Sequence, residues 1–507
     1  MKRSRLFVAI SFMAVIWLWC PSITAAAPRI GLSPDAGPPT SKVTVKGKGF
    51  FPNVEVDIYF DTLDQALVTT SPRGDFSLTI DVPAAAQPGK HWITAKERPG
   101  RISPRAAQKP FLVRTDWAQF GFGSEHQGWN PYENTLDKSN VDKLELAWSI
   151  STLNNYFSFP AVAGGVVYSY DLKGPVGVND SGISAFNAKD GKKLWNTPLS
   201  FGQTLRISPA VADGFVYVGT DLCIYALNAA SGDIQWQTNS SHDNGGNIDS
   251  SVAVANGAVY ASVTFADMLH ALKARDGSIL WTRTLDNQWD AGYGNDSPAV
   301  AGGVVYATSA DGHIYAFKTR GGKPYWKNKV SVHERSSPAV ANGVVYVGAF
   351  DGTVYAVKAD TGVLLWRTRT DGYASSPAVA QNMVFVAGKK NLYAFRTEDG
   401  ALIWSVPTGG YATSPAVANG LVYVGLEDGN LYALNSDNGT LLWSGYTGSP
   451  ITPHLSGMVV ADGMVFVSNL HSLCAFSLYG RREHPAVPRP DPGTLTPDRS
   501  LTPRSSQ

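Results

Sequence analysis

Cysteine is nearly absent, with three in 507 residues, and Cys20 lies in the N-terminal segment, which leaves Cys223 and Cys474. These two hold equal places in two similar phrases, "DLCIYAL" and "SLCAFSL". A disulfide needs Cα atoms within about 7 Å, whereas stacked sheets are each about 10 Å thick. Both therefore read as buried free thiols, and no Cys-x-x-Cys redox or metal motif occurs. Net charge is also scarce. Lys and Arg number 42 against 41 Asp and Glu, for +1 overall, with no basic run beyond the first residues. That balance argues against a partner held by electrostatics, such as nucleic acid. A Gly-x-Ser-x-Gly elbow, a His-Glu-x-x-His helix and a phosphate-cradling loop are missing too. The nine histidines form no metal-ligand spacing. A hydrolase assembled from scattered loop residues stays open, because such a site leaves little linear trace.

The N-terminus reads as an export signal. Lys2, Arg3 and Arg5 precede an apolar core from Leu6 to Trp19 and a small-residue cleavage site at Thr24-Ala25-Ala26. The apolar run is shorter than the roughly 20 residues of a membrane span, so no transmembrane segment is expected after cleavage. Trp19 stands where a lipobox before Cys20 has a small residue, which argues against lipidation.

Residues 27–114 alternate apolar and polar side chains between Gly/Pro turns, as in "SKVTVKGKGFFPNVEVDIYF" and "GDFSLTIDVPAAAQPGKHWITA". The pattern predicts half-buried antiparallel strands and a small β-sandwich, with Trp92 in its core. The turn Gly47-Lys48-Gly49-Phe50-Phe51-Pro52 resembles the "GxGFxP" turn of bacterial immunoglobulin-like modules. A connector, 115–143, is aromatic without strand periodicity and is expected to pack across a surface. Residues 481–507 are rich in proline and polar residues, a composition expected to stay disordered.

Between these, residues 144–480 repeat. Trp148, Trp195, Trp236, Trp281, Trp326, Trp366, Trp404 and Trp443 recur at a period near 40 residues, and seven close the phrase Ala-x5-Gly-x3-Trp. Before the phrase comes a second one, "SPAVANGVVYVG" at 337–348. Such a period marks a propeller or solenoid. Each unit offers four short strands, the first two joined by an x-Gly pair such as Asn342-Gly343 that supplies the positive φ of a tight hairpin. At Gln381-Asn382 the asparagine tolerates the same conformation. Eight such units begin near Pro160, Pro209, Val252, Pro298, Pro338, Pro377, Pro415 and Met458, but the eighth lacks a Trp strand. An unclaimed one, Leu144 to Ile150, precedes the first. The expected fold is an all-β, eight-bladed propeller of four-stranded blades closed by this N-terminal strand, which removes its open edges.

The phrases Ala226-to-Trp236, "ALNAASGDIQW", and Ala356-to-Trp366, "AVKADTGVLLW", resemble the tryptophan docking repeat of the pyrroloquinoline-quinone (PQQ) type propellers. The resemblance implies that each Trp docks on a neighbouring blade as scaffold, worth roughly 2–3 kcal/mol of burial.

Spacing separates two ends of the blades. The Ala-to-Trp distance and the x-Gly hairpin are uniform, while the loops at the opposite end vary, and variable loops on a rigid scaffold are where binding is built. The connections entering the innermost strands are expected to ring the channel mouth. As ligand-binding candidates they carry Tyr156, Arg206, Trp289, Tyr293, Glu334, Arg335, Tyr373, Tyr411 and His454, beside Asn247, Asp249, Asp290, Asn295, Asp296 and His333. Aromatic faces with nearby amides and carboxylates suit a sugar or flat ring system, and they equally suit loop packing. The stretches 242–249 and 290–296 offer oxygen ligands of the kind calcium takes, but their spacing matches no calcium-loop motif and ordinary turns account for them. No catalytic residue and no metal ligand is assigned.

Two functions follow. One is an exported binding or scaffold propeller without a cofactor, for a protein, glycan or cell-envelope component, more distantly similar to the propeller scaffold of outer-membrane protein assembly. That scaffold is a lipoprotein, and the lipobox is missing here. The other is a quinoprotein dehydrogenase using PQQ and calcium to oxidise alcohols or sugars. Such enzymes commonly stack the quinone on a disulfide between adjacent cysteines, and no adjacent pair exists in this sequence. The repeat alone does not imply the cofactor.

Overall fold

The computed structural model describes residues 27–98, 104–151, 155–173, 181–199, 207–220, 223–239, 248, 250–263, 268–285, 297–309, 311–330, 336–451, 457–469, 471–480, 489–492, 494–497, 501 and 503–504. The N-terminal unit holds strands β1 (Arg29–Ser33), β2 (Ala36–Gly37), β3 (Lys42–Lys48), β4 (Glu55–Phe60), β5 (Leu63–Thr69), β6 (Phe76–Asp81), β7 (Gly89–Glu97) and β8 (Ala106–Val113). They form two sheets, β1-β3-β6 and β2-β8-β7-β4-β5. Alternation turns Val43, Val45, Val56, Ile58, Phe60, Leu78, Ile93 and Phe111 into a shared core. Trp92 is not part of it. It follows the inward His91 and precedes the inward Ile93, so its ring lies on the outer face, with the Lys90 ammonium 4.7 Å and the Arg489 guanidinium 5.0 Å from its centre. That corrects the core assignment.

Residues 145–477 form a β-propeller. Among its described residues eight sheets of four or five strands follow one another, each ordered from an innermost strand to an outermost Trp strand. The innermost strands are Ala161–Ala163, Ala210–Ala212, Ala253–Ala255, Ala299–Ala301, Ala339–Ala341, Ala378–Ala380, Ala416–Ala418 and Met458–Ala461. Each touches the next, and the last touches the first. Strand Glu145–Ser151 pairs antiparallel with Ser472–Ser477 and supplies the outermost strand of the eighth sheet. The hairpins turn with both central residues at positive φ, for example Asn342 at 50° and Gly343 at 76°, or Gln381 at 50° and Asn382 at 64°.

The tryptophans join neighbouring sheets by one repeated contact. Each indole donates Nε1–H to a carbonyl of the next sheet's docking phrase: Trp195 to Ala229 at 3.0 Å, Trp236 to Ala274 at 2.9 Å, Trp326 to Ala359 at 2.9 Å. The last, Trp443, reaches Leu144 at 3.0 Å beside the closing strand. The phrase's glycine lies flat on the preceding indole. At Gly362, with φ +71°, an added Cβ would come within 2.6 Å of the Trp326 ring, so only glycine fits both the backbone and the approach. Of the cysteines, Cys474 is buried and Cys223 half-buried, and both are free.

Where composition predicts disorder, the described tail residues lie on the sandwich. The Arg489 Nε–H donates to Gln108 Oε1 at 2.6 Å, and Leu495 is 4% exposed.

Candidate functional site

The innermost strand of a propeller sheet has a partner on one side only. Its central residue turns N–H and C=O into the channel, where they need partners. The connector supplies them. Trp117 and Val162 exchange two backbone hydrogen bonds of 2.8 Å, and Val211 N–H donates to Ala118 O at 2.8 Å. Gln119 then uses its side-chain amide as a strand would, accepting from Val254 N–H at 2.7 Å and donating to Val254 O at 3.1 Å. Val300, Val340, Val379 and Val417 donate in turn to the carbonyls of Ser124, Glu125, Gln127 and Gly128 at 2.6–2.8 Å. Strand β9 (Trp129–Asn130) runs parallel to Ala416–Ala418, and Asn130 Nδ2 reaches Val460 O at 2.8 Å. Residues 117–130 thus circle the inside of the ring and touch all eight sheets. The expectation that the connector packs across a surface is corrected: unpaired inner edges draw it into the axis.

Its ends are fixed at the hairpin end of the ring. Thr115 N–H donates to Asp462 Oδ1 at 2.8 Å, and Asp462 N–H donates back to Thr115 Oγ1 at 2.7 Å. Glu133, buried, accepts from Thr115 Oγ1–H and Gly463 N–H. Burial pushes its carboxyl up despite these donors. Asp116, close to Asp462, is pushed up to about 6, by burial first and then by the neighbouring charge, although it accepts Gly164 N–H at 3.0 Å and lies near Arg114. The sandwich docks at the same end, with Asn134 Nδ2 donating to Ala84 O and Ala86 O, and Gln87 Nε2 donating to Asn134 O.

On the opposite side of the connector a cavity of about 40 Å³ remains on the axis. Its floor is Trp117, Phe120, His126 and Gly128, and its wall is Phe159, Ser208, Ser376, Ser414 and Met458. A serine before the inner strand recurs from sheet to sheet for a structural reason. Ser208 N–H donates to Ser251 Oγ, Ser251 to Ser297, Ser297 to Ser337 and Ser337 to Ser376, at 2.8–3.1 Å. His126 is 2% exposed and meets Phe120 edge-on at 5.2 Å. Burial pushes its imidazole down to about 3, so it is neutral at physiological pH. The space suits one or two waters and falls well short of the roughly 300 Å³ that small-molecule pockets begin at. A larger cleft of about 500 Å³ lies between sandwich and ring, lined by Lys90, Arg114, Gly165, Lys189, Asp462 and Tyr479.

Of the residues expected at the channel mouth, Arg206, Trp289, Tyr293, Glu334, Arg335 and His454 lie outside the described residues, as do Asn247, Asp249, Asp290, Asn295, Asp296 and His333. Tyr156 sits in a short strand, Asn155–Phe157, paired with the second strand of its sheet opposite Leu172; its side chain is outside the description too. Tyr373 is half-buried and packs edge-on against Phe350 of the preceding sheet, 6.3 Å between centres. Tyr411 is half-buried and its carbonyl accepts Glu427 N–H at 3.1 Å within its own sheet. Neither lines the axial cavity. Sequence reasoning missed Phe120, His126 and the serine ladder. The signals available were the aromatic, glycine-rich connector and the serine repeated ahead of Ala-Val-Ala.

The family model described as outer membrane protein assembly factor BamB matches residues 133–267, 265–376 and 351–482. Among curated relatives, the outer membrane protein assembly factor BamB of Yersinia pestis is 31% identical over 224 residues, 40% of this chain and 54% of that protein. The tetrathionate hydrolase of Acidithiobacillus ferrooxidans is 26% identical over 272 residues, 45% of this chain and 52% of that protein. The chain thus spans about half the length of these curated relatives. Among solved structures, the quinohemoprotein alcohol dehydrogenase from Comamonas testosteroni superposes with a TM-score of 0.61 at 15% identity, over 74% of this chain and 82% of that one. BamB from Moraxella catarrhalis superposes with a TM-score of 0.54 at 16% identity, over 66% of this chain and 99% of that one. At such identities the likeness shows the fold, whereas the family matches run from residue 133 to 482 without a break. The chain belongs to the family of outer membrane protein assembly factor BamB, built on the PQQ-like β-propeller repeat.

Proposed function

We propose that this chain is an exported scaffold without a catalytic centre: an eight-bladed PQQ-like propeller, carried with an immunoglobulin-like module, that binds a protein, glycan or other component of the cell envelope. The observation that carries this reading is the connector, which occupies the axis and hydrogen-bonds to all eight inner strands. A flat cofactor with its calcium would need several times the 40 Å³ left there. That small space supports a reading without such a cofactor, and no chemical step is derived through one. Family membership with an assembly factor points the same way.

The sandwich and the ends of the connector take the hairpin end of the ring, which leaves the variable-loop end as the docking face. Tyr156, Tyr373 and Tyr411, with Arg206, Trp289, Tyr293, Glu334, Arg335 and His454, are the residues we assign to it. No helix among the described residues is long and apolar enough to cross a membrane, and export rests on the basic and apolar pattern of residues 1–26.

Deleting the gene in its host and quantifying the envelope proteome tests the reading. Loss of a defined set of envelope proteins is expected, restored by the wild-type chain and not by one with Tyr156, Tyr373 and Tyr411 changed to alanine. An unchanged envelope together with PQQ-dependent oxidation of an alcohol or sugar by the purified protein would replace this reading with the dehydrogenase one.

A further inference from the structure

The outer face of the larger sandwich sheet is covered. Along β4, Val56, Ile58 and Phe60 enter the core, so Asp57 and Tyr59 point the other way. Their partners across the sheet are Lys96 and Thr94 on β7 and, opposite Asp57, Leu67 on β5. Among the described residues the sandwich's other sheet, β1-β3-β6, packs on the opposite, core face. Yet Asp57 is 1% exposed, and Tyr59, Leu67 and Thr94 are 0% exposed. An outward row of a two-layer sandwich is ordinarily wet.

The Arg98 guanidinium covers Asp57, its Nε–H donating to Oδ1 at 2.9 Å, and the C-terminal segment lies against neighbouring residues of the same face, Trp92, Lys96, Gln108 and the β5 edge. The Arg489 guanidinium stands 5.0 Å from the centre of the Trp92 ring, which also carries Lys90 at 4.7 Å. Gln108 Nε2 donates to Pro490 O at 2.8 Å, while Lys96 Nζ donates to Leu495 O at 2.7 Å. Leu495 is buried, and Pro503–Arg504 adds a parallel strand to the free edge of β5 opposite Leu67–Val68. The segment repeats one triplet, Leu-Thr-Pro, at 495–497 and 501–503. The first triplet meets Lys96 and the second ends at the β5 edge. Backbone carbonyls are read by side chains, an apolar residue is buried, an aromatic ring holds one end and a sheet edge the other. These are the means by which domains take extended, proline-containing peptides.

We propose that the outer face of the N-terminal sandwich is a docking surface for a Leu-Thr-Pro-containing peptide, which the described residues of the chain's own C-terminal segment fill in cis, turning at Asp491–Thr494 and ending in the Pro503–Arg504 strand. The segment competes with any trans strand of the same chemistry because tethering gives it an effective concentration of about millimolar. The proposal stands apart from the propeller's function and survives or fails without it.

A fluorescein-labelled peptide of residues 489–507 tests it on the full-length chain, read by fluorescence anisotropy. Wild type should bind weakly, because its own segment occupies the face. Leu495→Asp places a charge in the buried position and should free the face, so that the peptide binds at least tenfold more tightly. Adding Trp92→Ala and Lys96→Ala to Leu495→Asp should weaken that binding at least tenfold, with far-UV circular dichroism unchanged. Equal binding by wild type and Leu495→Asp, or binding indifferent to Trp92 and Lys96, overturns the proposal. Limited trypsin digestion gives a second reading: cleavage after Arg504, which the β5 edge holds in the wild-type chain, should quicken about tenfold with Trp92→Ala, and an unchanged rate counts against the anchor.

Discussion

Gly128 and Gly164 have the same backbone torsion, φ +62° at each, and differ in what surrounds them. Gly164 sits at an exposed hairpin, and a Cβ added there meets nothing within 4 Å. At Gly128 the added atom would come 2.7 Å from Ala378 Cβ, 3.0 Å from Ala378 Cα and 3.3 Å from Pro415 O, wedged between two inner strands. Alanine at either site meets the left-handed penalty of about 1–2 kcal/mol, offset in part by about 0.4–1 kcal/mol from a stiffer unfolded chain. Gly164→Ala should therefore cost at most about 1.6 kcal/mol. Gly128→Ala adds overpacking of about 1–3 kcal/mol and loosens the bond from Val417 N–H to Gly128 O. A total of about 2–4 kcal/mol is expected. Urea unfolding followed by tryptophan fluorescence measures both, since the docking indoles report on the ring. Equal midpoints for the two variants would refute the reasoning, because they would mean that the connector does not bear on the inner strands.

Removing residues 144–151 should abolish the cooperative transition of the ring, since the eighth sheet would lose its outermost strand and Trp443 its acceptor at Leu144; an unchanged melting curve would rule the closure out. Asp116 titrates near 6 in the fold against 3.8 unfolded. A raised carboxyl favours the folded state while protonated, so its contribution is full below about pH 4 and is lost as pH rises through 6. Asp116→Asn should flatten stability between pH 4 and 6 and raise it at pH 7 by about 1–3 kcal/mol, as read from melting at stepped pH; a destabilised variant at pH 7 would show that the charge is satisfied. Trp366→Phe should cost about 1–2 kcal/mol through the carbonyl of Thr397 left without its indole donor. Trp326→Phe should lose less to the missing donor, because Ala359 O keeps the hydroxyl of Tyr306 at 3.0 Å.

The repeat was legible because it is built from local chemistry. Asn-Gly hairpins, alternating strands and an indole stacked on a glycine leave marks at fixed spacing, and the closing strand could be read from a Trp strand without a repeat of its own. The axis was not legible. Residues 117–130 satisfy one or two edge groups of each of eight sheets, and that need exists only once the ring has closed. The connector consequently carries no period of its own, and Gln119 imitates a strand with its side chain. Trp92 misled for a related reason. A tryptophan in a strand is ordinarily core, but here Arg489, nearly 400 residues later in the chain, covers the opposite face. The candidate loop residues follow from the connections that enter the innermost strands, and for Tyr373 the packing against Phe350 shows how readily such an aromatic also serves its neighbour.

Ligand-dependent melting of the purified protein tests most directly whether the chain itself fills the axis. Melting curves would be recorded with calcium alone, PQQ alone and both together, where saturation at a hundred times Kd would add about 2.7 kcal/mol. A filled axis predicts the same transition in all three. A cooperative upward shift that requires both would contradict it, placing a cofactor site where the connector is said to leave no room.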